Sequence, residues 1–226
     1  MQKTILFLIF IFSSFSISSA EIHDATKRGD YDKVRQLLLN GEDVNSALRN
    51  GFTVLHMAAQ ENRKDIAGLL IENGVDINAT MSNGMPPIFI AIDRENIEIV
   101  ELLIANNAVY SIGAMNLALS RSKFKMFKLL VSNKHYANLQ GKTNNTILHS
   151  ASVLGNSKAV EYLLKLGADP KSTNNQGDTP LSALYKQKEK LTPFLLRASK
   201  EDIKNQLGVD IDGYDKVIHL LKAAMN

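Results

Sequence analysis

The side chains best suited to chemistry are scattered along the chain. Five histidines occur: His23, His56, His135, His149 and His219. A zinc site needs three or four ligands from one locality. His23, His135 and His219 have no Asp, Glu or His at ligand spacing and read as surface residues. Asp210-Ile211-Asp212-Gly213 is similar to part of a calcium loop. With Asp210 and Asp212 at its third and fifth places, the first place is Gly208 and the twelfth is His219 in place of Glu. A polar turn between two helices fits better. Cysteine is absent, which removes disulfides, thiolate metal sites and cysteine nucleophiles. No serine sits in a G-x-S-x-G elbow, and neither glycine-rich phosphate loop is present. Lys186, Lys188 and Lys190 alternate with Glu189 nearby and read as a solvated loop. The residues offer no catalytic constellation, no metal site and no cofactor site.

The elements that position these residues therefore matter more than the residues alone. The chain has 226 residues, 45% apolar and 22% charged, with a net charge of +3. That composition is globular and excludes both a wholly disordered chain and a polytopic membrane protein. So small a net charge gives no general attraction to nucleic acid or to an anionic membrane.

Residues 1–20 read MQKTILFLIFIFSSFSISSA. A single basic residue, Lys3, precedes the apolar run Ile5 to Phe12, and Ser18-Ser19-Ala20 follows. This is the pattern of a secretory leader cut after Ala20. A membrane span needs roughly 20 apolar residues, more than this run supplies. The expectation is a secreted or periplasmic protein of residues 21–226 with no further membrane association.

A period of 33 organises the remainder. Gly51-Phe52-Thr53-Val54-Leu55-His56-Met57-Ala58-Ala59 and Asn144-Asn145-Thr146-Ile147-Leu148-His149-Ser150-Ala151-Ser152 are two copies of one pattern. Gly84 to Ala91 and Gly177 to Ala183 follow each at 33 residues. Each is trailed by an aliphatic cluster, such as Leu69-Leu70-Ile71 or Tyr162-Leu163-Leu164. A stop such as Asn73-Gly74-Val75-Asp76 comes next. Thr53, Thr146 and Thr179 stand where helix N-caps belong. Pro86-Pro87 and Pro180 stand where helices tolerate Pro. Gly41, Gly74 and Gly167 stand where helices end.

These motifs resemble the ankyrin repeat, with its G-x-T-P-L-H-x-A-A signature. The resemblance covers residues 21–198 and implies an all-α solenoid of six helix-pair units with short hairpin loops. Units are expected near 20–52, 53–85, 86–112, 113–145, 146–178 and 179–198. Residues 199–226 depart from the repeat and are expected to form a helical C-terminal cap over the apolar end. The resemblance also implies that His56 and His149 bond to the Thr of their own turn and to a neighbouring loop. At about 8–10 Å per stacked element they stand too far apart to share a metal. The interval from 86 to 113 lacks six residues, so a projecting finger should be missing or truncated near Ser111. Lys186 to Lys190 should link the two helices of the last unit, with Pro193 opening the second.

The resemblance further implies binding of another protein through loop tips and first helices, by a monomer without catalysis of its own. The residue before the Thr position is Phe52, Met85 and Ile112 in successive units. These either form an apolar row on the tips or pack on their own hairpins. Arg49, Gln60, Asp93 and Arg94 would form a polar rim. Such a protein is a scaffold, an inhibitor or an effector; the alternatives are a protective, chaperone-like periplasmic binder and an enzyme whose site lies in the 199–226 tail. Asn78-Ala79-Thr80 and Asn144-Asn145-Thr146 match the glycosylation sequon.

Overall fold

The computed structural model describes residues 20–120, 123–132, 134–195 and 198–226. The expected leader lies outside the described residues apart from Ala20. Among the described residues the chain is helical, with two isolated bridges, Ala47 to Thr53 and Gln140 to Thr146. No described helix is long and apolar enough to cross a membrane.

The chain divides into two units, 1–110 and 111–226. The first holds α1 (20–28), α2 (Tyr31–Leu39), α3 (Val54–Gln60), α4 (Lys64–Glu72), α5 (Pro87–Asp93) and α6 (Ile97–Ala105). The boundary falls where the six residues are missing from the repeat. Residues 73–86 connect α4 to α5, whereas only 106–111 connect α6 to α7 (Ile112–Ser120). No room is left for a hairpin, as the shortened interval implies.

Several helices start where local chemistry satisfies unpaired backbone donors. The Thr53 side chain accepts from the His56 N–H and the His56 ring accepts from the Thr53 N–H, a reciprocal cap at the head of α3. Thr146 and His149 repeat it in the second unit. Pro87 occupies the first turn of α5, where its missing N–H leaves no bond unmade. Gly74 ends α4 in the left-handed region at φ 79°, and Asn107 takes the corresponding place after α6 at φ 65°.

Apolar faces bury between adjacent pairs. In the first unit α3 packs on α4 and α5, and α4 packs on α2 and α6. Ile66 and Leu70 of α4 and Ile99, Val100 and Leu103 of α6 are fully enclosed. Each such aliphatic side chain contributes about 1.5–3 kcal/mol. No single pair could bury this surface alone, which is why the pairs stack.

The second unit holds α7, α8 (Phe124–Leu130), α9 (Lys134–Ala137), α10 (Ile147–Val153), α11 (Ser157–Lys165), α12 (Pro180–Leu195), α13 (Lys200–Leu207) and α14 (Tyr214–Met225). Two expectations fail here. Lys186 to Lys190 is not a loop, and Pro193 does not open a new helix: α12 runs through both. A Pro disrupts a helix by removing a donor and crowding the preceding turn. Pro193 donates no backbone bond in α12, yet the helix continues past it to Leu195. The second helix of the last pair comes later. α14 packs on α12 and α11, as α6 packs on α5 and α4. α14 thus fills the second-helix place of the sixth pair, with α13 inserted before it. α13 stands outside the repeat pattern.

The docking of α14 depends on close backbone approach. Tyr214, 1% exposed, donates its hydroxyl to Val153 O at 2.9 Å, and Asp210 N–H donates to Leu154 O at 2.7 Å. Gly155 lies between, at φ 70°, where an added Cβ would sit 1.9 Å from Asp210 O. Burial pushes the Tyr214 hydroxyl up to about 12.

Candidate functional site

The loop tips are tied by bonds from backbone N–H groups to asparagine side chains, recurring at near-repeat spacing. Asn45 Oδ1 accepts from Asp76 N–H at 2.7 Å, and Asn78 Oδ1 accepts from Val109 N–H at 2.8 Å. In the second unit Asn138 Oδ1 accepts from Asp169 N–H at 2.8 Å. Within the first unit the Ser82 N–H and hydroxyl both reach Asn50 O, joining one finger to the next. Asn50 Oδ1 takes the Phe52 N–H and Asn83 Oδ1 takes the Met85 N–H, each at 3.1 Å. Side chains leaving these tips are therefore aimed by a stiff frame.

Histidines tie the frame to the helices. His56 Nδ1 accepts the Thr53 N–H at 3.1 Å, so the bond of Nε2 to Met85 O, 3.0 Å long, is one in which Nε2 donates. His149 does the same between Thr146 and Asp178 O, at 3.2 and 2.9 Å. This arrangement requires neutral rings, and burial accordingly lowers the proton affinity of both. His23 is a third member. It is 3% exposed, not a surface residue, and its Nε2 bonds Phe52 O at 2.9 Å. Its position is 33 before His56, and that spacing was the available signal. It was obscured because Ala20 replaces the Thr of the repeat. Ser182 holds the matching place in the last pair, where its hydroxyl accepts the Thr179 N–H at 2.9 Å. Among the described residues no group of His, Asp and Glu is arranged to hold a metal ion.

The expected binding residues separate. Phe52 is 8% exposed, and its ring lies 5.5 Å from that of His56. It closes the hairpin core and does not stand on the tip, and its carbonyl bonds His23. Met85 is half-buried, with its carbonyl held by His56. Ile112 is on no finger at all; it is the first residue of α7, in the second unit, packed near Gly141. The expected three-membered apolar row therefore does not form. Arg49 and Arg94 are exposed, and Gln60 and Asp93 are partly so. All four belong to the first unit, along with Met85, on three successive repeats. Gln60 donates to Glu61 at 2.9 Å.

The reactive groups of the tail are each committed to a separate contact. Asp202 caps α13 through Ser199, whose bonds hold its carboxyl below the usual range. Asp210 accepts from the Gly213 N–H, Asp212 pairs with Lys200 and Asp215 with Lys188.

The family model for ankyrin repeats, in three copies, matches residues 22–116 and 114–207. Among solved structures, the human ASB11 ankyrin repeat domain is similar at 23% identity and a TM-score of 0.63, over 91% of this chain and 83% of that one. A chain in the complex of Bd0816 predatory endopeptidase from Bdellovibrio bacteriovorus with immunity protein Bd3460 is similar at 24% identity and a TM-score of 0.62. That match covers 75% of this chain and 93% of the other. No curated protein matches in sequence. The stacked helix pairs make a protein-binding scaffold, and the chain belongs to the ankyrin-repeat family.

Proposed function

We propose that the protein is exported on its N-terminal leader and acts, as a monomer, by binding and restraining another protein without catalysis of its own. The observation that carries this reading is the frame of the first unit. Its tips are cross-tied by Asn45, Asn50, Asn78 and His56 and carry Arg49 and Met85, while Gln60, Asp93 and Arg94 stand at the ends of α3 and α5. Rigid side chains bind at lower entropic cost than mobile ones. Arg49 and Arg94 are the anchors this surface offers, since arginine is enriched among residues that dominate interfaces. The similar chain associated with an endopeptidase and an immunity protein supports an inhibitor, with an enzyme as partner.

The test is capture of partners from a secreted or envelope fraction by the tagged chain, followed by the Arg49→Glu, Arg94→Glu double variant. Loss of capture with an unchanged thermal midpoint is the expected result. Retained capture by the folded variant would place the interface elsewhere. The partner's activity, measured with and without the chain, separates restraint from protection: it falls if the chain inhibits and survives longer if the chain protects. N-terminal sequencing of the exported protein should begin at Glu21.

A further inference from the structure

The small net charge conceals a division. Residues 20–110 carry eight Lys or Arg against fourteen Asp or Glu, a net of −6. Residues 111–226 carry seventeen against nine, a net of +8. From 102 to 160 there is no acidic residue at all, while seven basic ones occur.

Within this basic unit lies a cleft of about 690 Å³, between the start of α8, the turn from α10 to α11, and the end of α13. Phe124, Leu154 and Leu207 supply apolar walls. Leu207 is 54% exposed, and Phe124 is held edge-on to Tyr162 with ring centroids 6.0 Å apart. Lys158 and Lys204 stand at the rim, both exposed. No ion pair joins either ammonium to a described residue, unlike Lys165, Lys186, Lys188 and Lys200. The amino-terminal turn of α11 adds partial positive charge at the same place. One carboxylate, Asp210, also lines the cleft and accepts from the Gly213 N–H at 3.2 Å.

We infer that this cleft is a second binding site, separate from the first-unit surface, which takes an acidic peptide segment with apolar flanking residues. Two ammonium groups beside apolar walls match carboxylates interleaved with leucine- or phenylalanine-like side chains. A phosphate backbone uses the cations but leaves Leu154 and Leu207 without partners. The volume suits a few side chains of a peptide, within the roughly 300–1,000 Å³ of ordinary ligand pockets. α13, a helix outside the repeat pattern, forms one wall, so the site is a product of that insertion.

The probe is a fluorescein-labelled peptide of alternating glutamate and leucine, titrated against the purified chain and read by anisotropy. Lys158→Glu with Lys204→Glu should weaken it at least about tenfold with the thermal midpoint unchanged, since reversing two contact charges turns attraction into repulsion. Leu207→Ser should weaken it too. Lys222→Glu, in the same unit but outside the cleft, should leave it unchanged. Three results would overturn the inference: equal loss from Lys222→Glu, equal binding of the glutamine-for-glutamate peptide, or displacement of the peptide by single-stranded DNA or phosphatidylserine vesicles with the same dependence on both lysines. The Arg49→Glu, Arg94→Glu variant should bind the peptide normally, so failure of one site is distinguishable from failure of the other.

Discussion

The two units solve the same structural problem with different chemistry. Where a loop meets the following helix, the first unit encloses an aromatic ring, Phe52, and the second encloses a carboxylate, Asp178, 5% exposed. Phe52 stabilises by desolvation and by contact with His56. Asp178 is instead held by Lys186 at 2.7 Å and by Ser182 at 3.2 Å. The long α12 that overran the expected loop is what brings Lys186 there. The acidic unit therefore has an apolar closure of its loop, and the basic unit has an ionic one. The two closures should respond differently to truncation, pH and salt.

The largest expected effect is on Phe52. Phe52→Ala should cost about 3–5 kcal/mol of stability, as for other enclosed phenylalanines. Met85→Ala, one repeat on and half-buried, should cost about 1 kcal/mol. Thermal or urea unfolding of both variants tests the difference; equal costs would mean that Phe52 is not core. Next in size is the turn between paired helices. Gly29 and Gly155 both lie in the left-handed region, at φ 77° and 70°. An added Cβ at Gly29 would meet the Arg63 side chain at 3.0 Å, but at Gly155 it would meet backbone. Gly155→Ala should therefore cost about 3 kcal/mol, from left-handed strain plus overpacking. Gly29→Ala should cost about 1 kcal/mol, from strain alone. Near-ultraviolet circular dichroism should report loss of the Tyr214 environment in the first variant only.

Acid should act on both units through one mechanism, and on the second through another. The buried rings of His56 and His149 bind protons less readily folded than unfolded. The unfolded chain therefore takes up more protons below its ordinary histidine value of about 6.5, and stability falls as pH drops through that point. It is fully present above it. His56→Gln and His149→Gln should each flatten that slope in a pH series of midpoints. Asp178 adds a lower window. Lys186 holds its carboxyl below the usual carboxylate range, so its stabilisation is present at neutral pH. It is lost only as pH falls below about 4. Asp178→Asn should remove this second loss and leave the first. The smallest effect expected is a gain. Glu95 holds a left-handed conformation at φ 63°, at the place taken by Gly29 and Gly155. Glu95→Gly should stabilise by about 0.5–1 kcal/mol, measured by urea unfolding.

What the sequence determined by itself was the repeat and its punctuation. The Thr-to-His spacing dictates the reciprocal cap at Thr53 and Thr146, because three residues is the reach of a side chain back to its own helix start. Gly41, Gly74 and Gly167 mark helix ends because only a residue tolerant of positive φ closes a helix that way. The shortened interval before Ser111 appeared in the residue count before it appeared as a missing hairpin. Tertiary structure alone decided which side chains of that frame face solvent. Phe52 and Met85 share one repeat position, and the carbonyl of each bonds a histidine 29 residues earlier, yet only Phe52 is enclosed. No local pattern reports that difference, because burial is set by what the stack brings against each side chain. The last pair was beyond local reading for the same reason. α14 becomes its second helix by packing on α11 and α12, a choice made by enclosed apolar area rather than by order along the chain. The cleft that α13 closes exists only once that choice has been made.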